Sequence, residues 1–218
     1  MITIQAIFVG QPQTITDEKG TWKSSIFRSP VNGPIELGMR GLAGDQSTDT
    51  ANHGTPDQAV CCHFLDHYAF WNEAYGLVAP DALGPGAVGE NWTLAGADEH
   101  DICIGDVYDV GTARVQVTAP RYPCSKQERK LKLRGFLKRT METLRTGFYL
   151  RVLQPGVVQP GDELRLVERP QPDLSVQAVN ADMHHTSDPA FARRLLDTPE
   201  LAAGWKRIIT AVLAHHDH

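Results

Sequence analysis

The chain has 218 residues, 41% hydrophobic and 22% charged, the balance of an ordinary globular protein with one large core or one domain plus a small appendage. A net charge of −5 argues against a general nucleic-acid binder, and there is no run of about 18 apolar residues to form a membrane span. Cys61 and Cys62 are adjacent, and with Cys103 and Cys124 they suit neither a CxxC metal site nor a disulfide framework, so the expected compartment is the reducing cytoplasm.

Residues 1–10 lack a basic n-region and read as a first strand, not a signal peptide. Residues 59–64 read as a buried strand, after which Asp66 can cap a helix through Tyr75 that Gly76 ends. The glycine-rich run 84–93 admits two readings, an anion nest of free backbone N–H groups or a plain turn. Short apolar runs at 102–104, 107–110 and 115–117, split by Gly105-Asp106 and Gly111-Thr112, predict a β-meander. A helix is expected over 136–144, with Phe136, Leu137, Thr140, Met141 and Leu144 on one face. Strands at 149–153, 156–158 and 164–167 follow, which makes the chain mainly β with α, a barrel or sandwich. Composition changes at Arg169-Pro170-Gln171-Pro172, so the expected division is a β domain over 1–169 and a helical domain over 173–218. The tail reads as three short helices: 174–181, a second through Leu196 introduced by Ser187-Asp188-Pro189, and a third over 198–214. Its apolar residues exceed what so small a bundle can bury, so it should dock on the β domain or on a second subunit.

Chemistry concentrates in Ala119-Pro120-Arg121-Tyr122-Pro123-Cys124. Two prolines stiffen the end of an alternating strand, and a positive charge near a thiol favours the thiolate, which ligates metals and attacks electrophiles. The competing reading is a buried structural cysteine. The segment 126–145 holds eight basic and two acidic residues, which reads either as an attractor for an anionic ligand or as a solvated helix face. His53, beside Gly54 in a loop, can hydrogen-bond a ligand, or the loop is an ordinary one stabilised by Asp57. His63 and His67 have zinc-helix spacing, but His63 falls in the strand candidate. His215, His216 and His218 lie at a fraying terminus.

Six segments, in order, carry a resemblance to a known family: Gly41-Leu42-Ala43-Gly44-Asp45, His53-Gly54-Thr55-Pro56-Asp57-Gln58-Ala59-Val60, Gly89-Glu90-Asn91, Ile104-Gly105-Asp106, Pro120-Arg121-Tyr122-Pro123-Cys124 and Gly147-Phe148-Tyr149-Leu150-Arg151-Val152. Together they resemble the MOSC family, named for the C-terminal domain of molybdenum-cofactor sulfurase, and the tail resembles the helical domain of its YiiM-like branch. The departure is Thr55, where the family usually has a second glycine. The resemblance implies a β-barrel, a bound molybdenum cofactor (molybdopterin) and Cys124 as thiolate ligand to the metal. It implies that Arg121 and His53 act at the reacting centre. Lys23, Arg28, His53, Gly89, Asn91, Arg121 and Arg151 would hold the cofactor. It further implies a cytoplasmic detoxifying reductase of small N-hydroxylated compounds such as 6-hydroxylaminopurine. With no flavin, haem or iron–sulfur motif visible, electrons would come from a separate protein; pyridoxal phosphate is not expected. Two other classes stay open: a non-catalytic cofactor carrier or sulfur-transfer module using Cys124 as persulfide acceptor, and a cofactor-free thiol enzyme.

Overall fold

The computed structural model describes residues 1–48, 54–186 and 188–216, with 215 and 216 described through their backbone only. Strands form where apolar residues alternate or run together. They are β1 Ile2–Val9, β2 Gln13–Asp17, β3 Gly20–Ser24, β4 Ser29–Val31, β5 Ile35–Gly38, β6 Gly41–Leu42, β7 Val60–Phe64, β8 Trp92–Ala95, β9 Val107–Val110, β10 Ala113–Pro120, β11 Phe148–Gln154, β12 Gly156–Val158 and β13 Glu163–Glu168. Seven of them close a barrel in the order β13-β9-β10-β11-β7-β8-β1, with β1 returning to β13 through Ile2 opposite Leu164. β4 adds to the outer edge of β1, β12-β5-β6 form a small second sheet, and β2-β3 form a hairpin. The closed barrel with its extra strand is the mainly β fold expected from the sequence, and it leaves few free edges.

One pair departs from the antiparallel rule. β7 and β8 run parallel, with Cys62 opposite Trp92, and α1 (Asp66–Tyr75) makes the crossover between them. Every residue of β7 is buried, as both faces of a covered strand require. Gly76 ends α1 at φ 61°, its N–H reaching Asn72 O and Glu73 O, as expected. Asp66 is instead the first helical residue; Leu65 is the cap, and the carboxylate helps only through the helix dipole.

Three further differences come from contacts between distant segments. Residues 102–104 make no meander strand, because Cys103 bridges Ser175 instead, with Ile104 N–H to Leu174 O at 2.8 Å and Val176 N–H to Ile102 O at 2.8 Å. That bridge holds 174 and 175 extended, so the first tail helix, α4, spans Val176–Ala181, with Ser175 Oγ accepting from Ala178 N–H. It runs on as a π-turn, Asp182–Thr186. α5 spans Pro189–Leu196 and is capped by Asp188, as expected. α6 spans Ala203–His216, starting later than residue 198 because Ala202 N–H is tied to Thr118 O of β10. α2 (Ser125–Leu131) and α3 (Phe136–Thr143) fill the stretch between β10 and β11.

The tail docks on the barrel. Leu174, Val176, Val179, Leu195, Leu201, Trp205 and Ile209 belong to the same buried cluster as Ile4, Val115, Val117 and Leu150. A satellite cluster of Tyr68, Trp71, Val88 and Phe136 fixes α1 and α3 to the 84–91 strap.

Candidate functional site

A cleft of about 340 Å³ opens where the chain enters β7 and β8 and leaves β10. Its lining includes Arg28, Asp45, Cys61, Gly89, Asn91, Arg121, Cys124 and Tyr149. Five of the resemblance segments thus contribute to one cavity through residues far apart in sequence.

One wall is saturated with internal bonds. The Asp45 carboxylate accepts from Gly10 N–H at 2.7 Å, Arg28 Nε at 3.0 Å, Arg28 Nη2 at 3.2 Å and Asn91 Nδ2 at 3.0 Å. Asn91 Nδ2 also reaches Phe8 O at 3.2 Å, and its Oδ1 accepts from Cys61 N–H at 3.0 Å. Arg28 Nη1 donates to Gly89 O at 2.5 Å. Asp45 therefore acts as a strut holding Arg28 and Asn91 in place, not as a base with free lone pairs.

The facing wall is different. Arg121 is 6% exposed; its Nη2 donates to Val88 O at 2.8 Å, while its Nη1 is buried without a partner among the described residues. Burial works against this cation, but Cys61, Tyr149 and Glu90 outweigh it, and the Arg121 pKa is raised. A buried guanidinium nitrogen with no acceptor costs free energy unless a ligand supplies one. Cys124 caps α2, its backbone N–H going to Gln127 Oε1 at 3.1 Å. It is half-buried, while Cys61, Cys62 and Cys103 are buried, and burial pushes each of those three thiols up. Cys61 also borders the cleft, through a thiol whose pKa stays high despite Arg121 and Arg28. Among the described residues, four cations, Arg28, Arg40, Arg121 and Lys126, and one carboxylate, Asp45, border this cleft in a chain of net charge −5. Such a cleft attracts an anion.

The structure redistributes several expectations. Arg28, Gly89, Asn91, Arg121 and Cys124 meet at the cleft, and His53 lies outside the described residues. Lys23 does not border it; it is exposed on β3 opposite Thr14. Nor does Arg151, which pairs with Asp57 Oδ1 at 3.0 Å and Glu200 O at 2.9 Å, tying β11 to the tail. The glycine run is a turn, not a nest: Gly86 N–H goes to Glu90 Oε1 at 2.7 Å and Gly89 N–H to Gly86 O at 3.1 Å. Of the basic run 126–145, Lys126 alone borders the cleft. Arg129 binds Asp17, Arg139 lies over Tyr75, and Arg145 lies over Phe70. Lys130 Nζ binds the carbonyls of Gly86 and Ile26, and burial pulls its pKa down to about 8.

Sequence reasoning missed Arg40, Gln127 and Tyr149 as lining residues, and it missed the role of Asp45. Arg40 carried a signal, since it stands directly before the Gly41–Asp45 motif. Behind the cleft, His63 and His67 do meet, with ring centroids 4.9 Å apart. His67 Nε2 lies 3.1 Å from Glu99 Oε2, an ion-pair distance with poor hydrogen-bond alignment. Among the described residues no group of three or more His, Cys, Asp or Glu is arranged to hold a metal ion, and no helix is long and apolar enough to cross a membrane.

Comparison with known proteins gives the family and the fold. The family model described as MOSC domain matches residues 49–165. The protein YflK of Bacillus subtilis, described as uncharacterized, is 36% identical over 94% of this chain and 91% of its own length. A protein of Gibberella moniliformis named "Reductase" is 36% identical over 72% of this chain, a stretch that is 28% of its own length. The crystal structure of YiiM from Geobacillus stearothermophilus superposes with a TM-score of 0.81 at 37% identity, covering 98% of this chain and all of that one.

Proposed function

The chain belongs to the MOSC domain family, and we propose that it is a molybdenum-cofactor-binding reductase of N-hydroxylated compounds such as 6-hydroxylaminopurine. The observation that carries this reading is the half-buried Cys124 thiol sharing a cation-rich cleft with the unpartnered Arg121 Nη1. MOSC domains are associated with this cofactor, and the residues fit it. A thiolate is a soft ligand for a soft metal, and Cys124 is the less buried of the two thiols bordering the cleft. Arg121 Nη1 is a donor in need of an anionic acceptor, while Lys126 and Arg40 add positive charge at the rim for a phosphate.

Cys124 would therefore hold the metal, and Arg121, with Arg28, Arg40 and Lys126 around it, would hold the anionic pterin portion. The cofactor, when bound, supplies the two-electron chemistry. The overall change takes a hydroxylamine, two electrons and two protons to the amine and water, with electrons from a separate donor protein. The chain's own part is positional. Asp45 keeps Arg28 and Asn91 fixed, Gln127 fixes the backbone at Cys124, and Val88 O holds one branch of the Arg121 guanidinium. The relative named as a reductase supports the redox reading for its matched portion.

The test is purification from a host that makes the cofactor, followed by metal analysis and turnover of 6-hydroxylaminopurine with reduced viologen as donor. Molybdenum near one per chain with amine produced is the expected result. Molybdenum without turnover identifies a carrier or sulfur-transfer module, and thiol chemistry without molybdenum identifies a cofactor-free enzyme.

A further inference from the structure

Tyr122 stands two residues before Cys124 and borders the same cleft. At 43% exposure it is the most exposed Phe, Tyr or Trp among the described residues. Its backbone is held between Arg121, whose N–H is fixed to Gly147 O at 2.9 Å, and Pro123. Its ring is braced from the tail. Trp205 of α6 meets it edge-on, with centroids 6.2 Å apart and planes at 70°. His184 of the π-turn lies 5.8 Å away at 47°. Trp205 is buried in the main core, so this brace is anchored. Burial, then His185, lowers the His184 pKa, so the neighbour is a neutral ring and not a cation. A π-turn in this place fits the common use of such irregularities at functional sites.

A partly exposed aromatic ring, braced by two neighbouring rings and bordering the same cleft as Cys124, is a stacking surface prepared in advance. We propose that Tyr122 stacks on the planar ring of the substrate, so that the cleft selects heteroaromatic N-hydroxylated compounds over aliphatic ones; the substrate class rests on the reductase reading above. Tyr122 is thus a specificity-determining residue, and the tail helices serve the site by holding its ring. The contact needs the ring and not the hydroxyl.

Two measurements test this on the full chain purified from a cofactor-making host. Calorimetric titration with adenine, a planar ring with no N–O bond to reduce, should show binding that Tyr122→Ala weakens by about tenfold and Tyr122→Phe by about twofold or less. In turnover, Tyr122→Ala should lower the kcat/KM ratio of 6-hydroxylaminopurine over acetohydroxamic acid by about tenfold. Absence of adenine binding, adenine affinity unchanged in Tyr122→Ala, or equal losses for the two substrates overturns the proposal. A chain without reductase activity that still binds adenine through Tyr122 would instead overturn the reductase reading and leave the stacking surface standing.

Discussion

The two walls of the cleft are built from similar residue types and behave in opposite ways. On the Asp45 side, the carboxylate takes four hydrogen bonds and Asn91 uses both its donor and its acceptor ends within the protein. On the Arg121 side, a buried guanidinium nitrogen has no partner among the described residues and a cysteine stands half-buried. Saturated polar groups define shape and stability; unsaturated ones define what the cavity is for. The contrast predicts that substitutions on the first wall act on folding and those on the second act on function.

The largest effect should come from Cys124→Ser. Serine offers no alkoxide near neutral pH, so reductase activity should fall to background while the thermal midpoint stays close to that of the parent. Full turnover in this variant with molybdenum still bound would erase the distinction between the walls. Next is Asp45→Ala, which strands Arg28 and Asn91 together in a largely buried setting. It should cost about 3 kcal/mol in urea unfolding, and a loss well under about 1 kcal/mol would mean that water replaces the strut without penalty.

A smaller effect concerns pH. Burial first, then His67 and Arg121, hold the His63 pKa well below its ordinary value. The unfolded histidine binds a proton below about pH 6.5 while the folded one stays neutral, so unfolding takes up a proton and stability falls as pH drops. The slope from one such group approaches about 1.4 kcal/mol per pH unit. His63→Leu should flatten the stability curve between pH 6.5 and 5 relative to the parent; parallel curves would remove His63 as the cause. The smallest effect should follow Cys61→Ser. It borders the same cleft as Cys124 but from the saturated side, so activity should be retained with a stability change of about 1 kcal/mol. Loss of turnover there would show that the two thiols act together.

Much of the barrel was legible because its signals are local. The alternation through 113–117, the buried run into β7 and Gly76 after α1 each mark an element without reference to the rest of the chain. α2 was harder to read: its cap is a cysteine, its buried residue is Gln127, and its charges cover the periodicity. The ordered motifs around Asp45, Asn91 and Arg121–Cys124 foretold the cleft, but which side chains face it is a long-range matter. Arg151 shows this: Asp57 and Glu200 lie far from it in sequence, and they draw it toward the tail. Truncation after Pro170 would be a poor probe of the tail, since it removes Leu174, Leu195, Trp205 and Ile209 from the core the barrel relies on.

Gly89 has a consequence for the cavity's dimensions. It sits at φ 77°, and a Cβ there would lie 2.3 Å from Ile26 Cγ1 and 3.0 Å from Ile26 O. The strap before β8 therefore rests directly on the segment after β3, backbone against side chain, with no room for a spacer. Ile26, Arg28, Gly89 and Asn91 all line the cleft, so this contact works as a caliper for its width. Even a methyl group at position 89 would push the jaws apart. The cavity's gauge is set by an absent side chain, and ligand size is bounded there before any cation or thiol takes part.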